Sequence, residues 1–305
     1  MLFLPLLGAG QNPYEGAYKL DGYEIEYAGV KTPYVVASLF SLPEKEIKIK
    51  VLAKDGERDF ILYTSGGTSY PVSKNEWVWK LPDSTGYQKL LLVEAKSKQK
   101  FQLNTFILFP YTEVKGKSIN NFVVGNYPDS EKDLYSKPQG FVEVTPEMVD
   151  QYLSPHFQVR DFLCKQECDY PMYLVLKEKL LLKLEKIIER LKEKGIKVKN
   201  LAVMSGYRTP YYNEAIGNVK FSRHQFGDAA DIYIDNDKNF YMDDLNNDGR
   251  SDSRDVEILY QTILEMTKED WYKPFVGGLG FYKPNSRRTG FVHVDVRGNP
   301  ARWGH

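Results

Sequence analysis

The sequence predicts an α+β chain in two parts: an all-β, sandwich-like region over 23–112 and a mixed region over 146–305 whose antiparallel sheet carries the chemistry. Three observations lead there. Five segments before residue 112, KEIKIKVLA, RDFILYTS, NEWVWKLP, YQKLLLVEAK and KFQLNTFILF, alternate apolar and polar residues as strands do, and none repeats as a helix does. One long segment, 171–194, repeats leucine and isoleucine at helical spacing. Two later segments alternate again, and their polar positions hold histidine and aspartate. With 305 residues, both parts are large enough to bury a core.

Composition excludes several partner classes. Lysine plus arginine number 41, as do aspartate plus glutamate, so no net field attracts nucleic acid or an anionic membrane. Cys164 and Cys168 are too few for a disulfide-stapled scaffold; their C-x3-C spacing allows a strained local bridge or two free thiols, and free thiols are the simpler expectation. The opening MLFLPLLGAG is too short to span a bilayer, for which about 20 residues are needed. It resembles the end of a secretory signal without its basic start, so residues 1–22 are expected to be a truncated signal, which implies export, or an N-terminal tail.

Taken in order, the five strand candidates of 23–112 are separated by Asp55-Gly56, Gly66-Gly67 and Pro82-Asp83, which predicts an antiparallel sandwich of immunoglobulin-like size. Trp77, Trp79 and Tyr87 are candidate wall-binding aromatics, with core packing the plainer expectation. Residues 113–145 lose periodicity and read as a linker that wraps one domain. Thr145-Pro146-Glu147 starts a short helix. The helix at 171–194 is read as scaffold with a solvated charged face, ended by Gly195. His156, one of four histidines, is weighed as a metal ligand, and GGLGFYKP at 277–284 is read as a glycine turn into a strand beside the cleft.

Chemistry concentrates in two stretches. In the run from 205 to 235, Ala230, Ile232 and Ile234 lie opposite Asp231, Tyr233 and Asp235. In GFVHVDVRG, Val292, Val294 and Val296 lie opposite His293, Asp295 and Arg297. Side by side, these faces converge His224, Asp231 and His293, a donor set that describes a zinc centre with an open fourth position.

These residues carry a resemblance. S-x-H-x-x-G-x-A-x-D (Ser222, His224, Gly227, Ala229, Asp231), preceded by SGYRTP and followed by a late HVD, resembles the zinc D-Ala-D-Ala carboxypeptidase and murein endopeptidase family, of the superfamily shared with lysostaphin-type peptidases and the hedgehog domain. It covers about residues 150–303. It implies a hedgehog-like zinc domain, peptidoglycan peptides as substrate, a periplasmic or cell-envelope location, and a zinc-bound water as nucleophile. Endo- and carboxypeptidase action both fit, as does a non-catalytic binding role like that of the hedgehog branch. The resemblance places Arg208 near the substrate and the developing oxyanion and favours a structural role for His156; Tyr211, Tyr212 and Asn213, just after Arg208, are candidates to line the cleft, and Ser222 to bind substrate. Members carry an acid three residues before the last histidine or a histidine two before; here Gly290 and Phe291 stand there. Asp295 is then either the general base or the acceptor that orients an imidazole, with Asp228 and Asp235 as outside candidates for the base.

One insertion has its own signature. DLNNDGRSDSRD, 244–255, fits a calcium loop in which Asp244, Asn246, Asp248, Asp252 and Asp255 supply oxygens, Arg250 its carbonyl, and Gly249 the sharp turn. A helix is expected directly after it.

Overall fold

The computed structural model describes residues 12–54, 56 and 58–304; the apolar run at 1–10, Asp55 of the first expected turn and the terminal His305 lie outside them. Among the described residues, nine strands form the first body: β1 Tyr23–Tyr27, β2 Val30–Thr32, β3 Val36–Ser41, β4 Glu46–Ala53, β5 Phe60–Thr64, β6 Thr68–Ser73, β7 Glu76–Lys80, β8 Gly86–Glu94 and β9 Lys100–Ile107. They make two sheets, ordered β2-β1-β4-β7-β6 and β3-β9-β8-β5. β4 shows why: its Ile47, Ile49 and Val51 turn inward while Glu46, Lys48 and Lys50 face water. Ile25, Ile49 and Trp79 then meet Leu90, Leu92 and Leu103 in one apolar cluster between the sheets.

One expectation changes, and the plainer reading of the aromatics as core holds at Trp79. The pairing is not wholly antiparallel, because β3 runs parallel to β9 from Val36 beside Gln102 to Ser41 beside Ile107. Trp79 and Tyr87 form no surface platform: Trp79 is fully buried with its indole N–H on Gly66 O at 2.8 Å, and the Tyr87 hydroxyl bonds to Asn104 at 2.6 Å.

The second body holds a five-stranded sheet ordered Leu201–Ser205, Ala229–Ile234, Phe291–Asp295, Gly278–Tyr282, Ala301–Trp303. The first four pair antiparallel and the last is parallel to its neighbour. Helices α1 (Glu178–Glu193) and α3 (Ser253–Met266) supply Leu184, Ile188, Leu259 and Ile263 to the core that also takes Ile232 and Val294 from the sheet. Residues 113–145 bury Ile119, Phe122, Tyr127 and Phe141 in that core. The expected short helix is a 3-10 turn at Pro146–Met148.

α1 is shorter than its periodicity suggests. Met172–Leu174 pairs as a strand with residues 142–144 instead, because the contiguous run Met172–Leu176 is buried throughout, and a helix would turn part of such a run to water. Nor is the charged face of α1 all solvated. Lys183 and Glu185 are buried, since the Asp270–Phe275 turn covers one and the 154–156 segment the other.

The two bodies are joined by hydrogen bonds: Ser38 Oγ donates to Leu153 O at 2.7 Å, Phe40 N to Glu178 Oε1 at 2.8 Å, and Asn104 Nδ2 to Tyr152 O at 2.6 Å. β9 serves both cores, with Phe106 in one cluster and Leu103 and Ile107 in the other.

Candidate metal centre

Strand register builds the site. Asp231 sits directly across from His293 on adjacent antiparallel strands, so the two side chains share a face at close range. His224 arrives from outside the sheet, on the 3-10 turn Arg223–Phe226, which ends at Gly227 in the left-handed conformation. A Cβ at Gly227 would lie 2.4 Å from the Val175 carbonyl, so this closure needs glycine. His224 Nε2, His293 Nδ1 and Asp231 Oδ1 form a triangle with sides of 3.2, 2.8 and 3.2 Å. A tetrahedral zinc with bonds of about 2.0–2.1 Å sets its ligands roughly 3.3 Å apart, so the donor set fits that ion.

The remote side of each ring is engaged too. His224 Nδ1 donates to Gly206 O at 2.7 Å, and His293 Nε2 to Asp295 Oδ2 at 3.2 Å. Both acceptors fix the tautomer that leaves the inward nitrogen free for a metal, the usual support of an imidazole ligand. A family model described as Peptidase M15 matches residues 155–252, a span that contains His224 and Asp231. This segment belongs to the M15 peptidase family. M15 peptidases are zinc-dependent, and the match ends before His293, which the strand register brings to the M15 segment. No curated protein and no solved structure matches the chain.

Charge in the centre is balanced by contact. Burial favours the uncharged form of Asp231, but the two imidazoles outweigh it and hold the carboxyl well below the usual range. Burial also lowers His224, whereas at His293 bonds to Asp231 and Asp295 overcome it and raise the imidazole. Asp295 is buried as well; hydrogen bonds from His293 and Arg297 outweigh that burial and keep it ionised far below the ordinary carboxylate value. Gly278 N donates to Asp295 Oδ1 at 2.8 Å, and a Cβ at Gly277 would meet Asp295 O at 1.9 Å.

A cleft of about 480 Å³ opens over the triangle. Arg208 lines it, tied to Asp231 at 2.8 Å and to Ser205 Oγ at 2.9 Å, and so does Ser222. Tyr211 and Tyr212, carried on α2 (Pro210–Ala215), are not among the lining residues, and Asn213 is buried on Val219 O. Asp295 stands behind His293, on the side away from the triangle. Asp228 is buried between Arg223 and Lys177, and Asp235 holds the backbone N–H groups of Asn239 and Phe240. His156 lies outside the centre, with Nδ1 2.6 Å from Glu185 Oε2. Cys164 and Cys168 are both free thiols.

The structure gives the calcium reading no support. Among the described residues, the groups of three or more acidic or imidazole side chains that converge within 4.8 Å are His224-Asp231-His293 and Asp235-Asp237-Asp243, not 244–255. Asp244 accepts from Asp248 N and Gly249 N, and Asp248 from Arg250 N and Arg254. Asp252 and Asp255 form the capping box of α3. Arg250 belongs to that turn through its N–H, and Asn246 accepts from Asp248 N at 2.9 Å.

Sequence reasoning missed Arg223, whose guanidinium binds Asp228 and Leu134 O under the His224 turn; its five-residue spacing from Asp228 was the available signal. It also missed Trp303, whose ring lies 5.1 Å from His293. Gly280 makes room for that indole, since a Cβ there would meet it at 2.4 Å.

Proposed function

We propose that this chain is a zinc-dependent peptidase that hydrolyses amide bonds in peptidoglycan stem peptides or cross-links. The observation that carries the reading is the His224–Asp231–His293 triangle at the floor of a peptide-sized cleft in an M15 segment. Zinc held by these three residues would polarise a scissile carbonyl and acidify a water at its open position. Gly206 O and Asp295 keep the imidazoles turned inward. Asp295 is the orienting acceptor rather than the base, because it meets the ring nitrogen that faces away from the triangle. Arg208 is placed beside Asp231 as a fixed cation for charge developing on the substrate oxygen. Trp303 and Tyr282, joined by an indole N–H to hydroxyl bond of 2.9 Å, wall the cleft. A substrate of this class places the protein in the cell envelope.

A second reading, a non-catalytic peptide- or wall-binding protein with a structural zinc, is favoured by one observation. Among the residues that line the cleft, Asp231 is the only carboxylate, so no free carboxylate stands ready to take a proton from water.

Digestion of purified sacculi with mass spectrometry of the released muropeptides separates the two. Intact protein, chelated protein with and without added zinc, and His224→Ala are compared. The peptidase reading expects zinc-dependent loss of a defined cross-link or terminal residue, abolished by His224→Ala. Zinc bound at one equivalent with unchanged muropeptides would leave the binding protein.

A further inference from the structure

Four arginines line the cleft, and three have a carboxylate of their own. Arg208 pairs with Asp231, Arg223 with Asp228, and Arg297 with Asp295. Arg288 has no acidic partner among the described residues. Its guanidinium carbon lies 5.3 Å from the ring centre of Tyr282 and 4.8 Å from that of Phe291, and these two rings stack at 4.4 Å. A guanidinium held on aromatic faces is positioned without losing its N–H edge, which stays available to a planar, two-oxygen acceptor.

The connection that carries Arg288 is itself fixed. Asn285 Oδ1 accepts the backbone N–H groups of Arg287 and Arg288, and Thr289 Oγ1, buried, accepts from Met242 N at 2.8 Å. From there the wall is continuous to the triad. Tyr282 faces Phe291 in register, its hydroxyl accepts from Trp303, and the Trp303 ring lies beside His293. Among the described residues, the one arginine of the cleft without a carboxylate is thus joined to the metal centre by a continuous aromatic wall.

We propose that Arg288 is a carboxylate subsite: the substrate is a peptide with a free carboxylate that this guanidinium binds while the peptide bond to be cut lies at the triad. The inference rests on the peptidase reading only in naming a peptide as the occupant. In a stem peptide the carboxylate has two sources, the α-carboxylate of a γ-linked D-glutamate or the chain terminus.

The probes are L-Ala-γ-D-Glu-L-Lys-D-Ala-D-Ala and its two single amides, one at the D-glutamyl α-carboxylate and one at the C-terminus. Titration calorimetry on the zinc-free protein measures binding without turnover. The wild type is expected to bind the free peptide roughly tenfold tighter than one of the amides, and which amide is weakened names the source. Arg288→Ala, with Arg288→Gln as a second variant, is expected to lower affinity for the free peptide to that of the weakened amide and leave that amide unchanged. Equal binding of all three peptides by the wild type, or equal weakening of all three by the variants, overturns the subsite. The sacculus digest reports separately on catalysis. Acid-over-amide preference without cleavage keeps the subsite and removes the peptidase reading, and cleavage without the preference does the reverse.

Discussion

His293 is used on both sides of its ring, Nδ1 toward Asp231 at 2.8 Å and Nε2 toward Asp295 at 3.2 Å. Asp295→Asn should therefore act through the imidazole, weakening zinc affinity by roughly 10- to 100-fold in competition with a chelating dye. Unchanged affinity together with lost turnover would return Asp295 to the role of base. Alternation along 291–295 was enough to place His293 and Asp295 on one face, whereas His224, on a 3-10 turn outside the sheet, was legible only from its place in S-x-H-x-x-G-x-A-x-D. Which ring nitrogen each carboxylate meets depends on side-chain torsions, and spacing does not encode those. Lys183 was misread outright, because helical spacing cannot show that a second element covers a charged position. Its Nζ donates to Asp295 O at 2.7 Å and Phe275 O at 3.1 Å, and burial pushes its pKa down to about 7 from 10.5. With the folded value below the unfolded one, the unfolded chain binds more protons between these limits. Stability is therefore expected to rise from pH 7 toward 10.5, by at most about 1.4 kcal/mol per pH unit. Urea midpoints across that window check this, and Lys183→Met should flatten the profile; an unchanged slope in the variant would show another group responsible.

Gly227 is where an element, rather than a residue, is at stake. It closes the turn carrying His224, its φ is +67°, and its carbonyl accepts Lys177 N at 2.9 Å, so the approach to Val175 leaves no room for a side chain. Gly227→Ala is expected to cost more than about 1 kcal/mol in urea denaturation, through both strained backbone and overlap. A variant as stable as wild type would mean the turn can shift without loss. The glycine of S-x-H-x-x-G was thus readable as a closure with a physical reason. Residues 244–255 show the opposite case. A calcium loop and a chain of Asx turns ending in a capping box call for the same short acids, the same asparagine and the same glycine, here Gly249 at φ +83°. Only the directions of the side chains separate the two. For α1, the periodic leucines were legible, while the start was obscured because Met172–Leu174 is apolar enough to extend the pattern.

At the scale of the whole chain, the two bodies share β9, and Glu178 at the start of α1 accepts from Phe40 in β3. One calorimetric unfolding transition is expected, because opening either body strips side chains from the other; two resolved transitions would show that they unfold independently. The strands of β4, β5, β7, β8 and β9 were legible by alternation. β3 was not, since it is buried on both sides and has no polar face to mark its period. In the second body's sheet, 229–234 and 291–295 were legible where polar chemistry alternates with apolar residues, and Gly278–Tyr282 from its glycine turn into an aromatic run. The placement of Trp303 has an optical consequence. The chain holds four tryptophans, at 77, 79, 271 and 303, and among the described residues Trp303 alone sets its ring against a triad imidazole, 5.1 Å from His293. Cobalt(II) or copper(II) entering the centre should quench that fraction of the emission, while Trp79, enclosed between the sandwich sheets, reports on the integrity of the fold. The molecule carries its own fluorescent gauge of metal loading, readable without substrate.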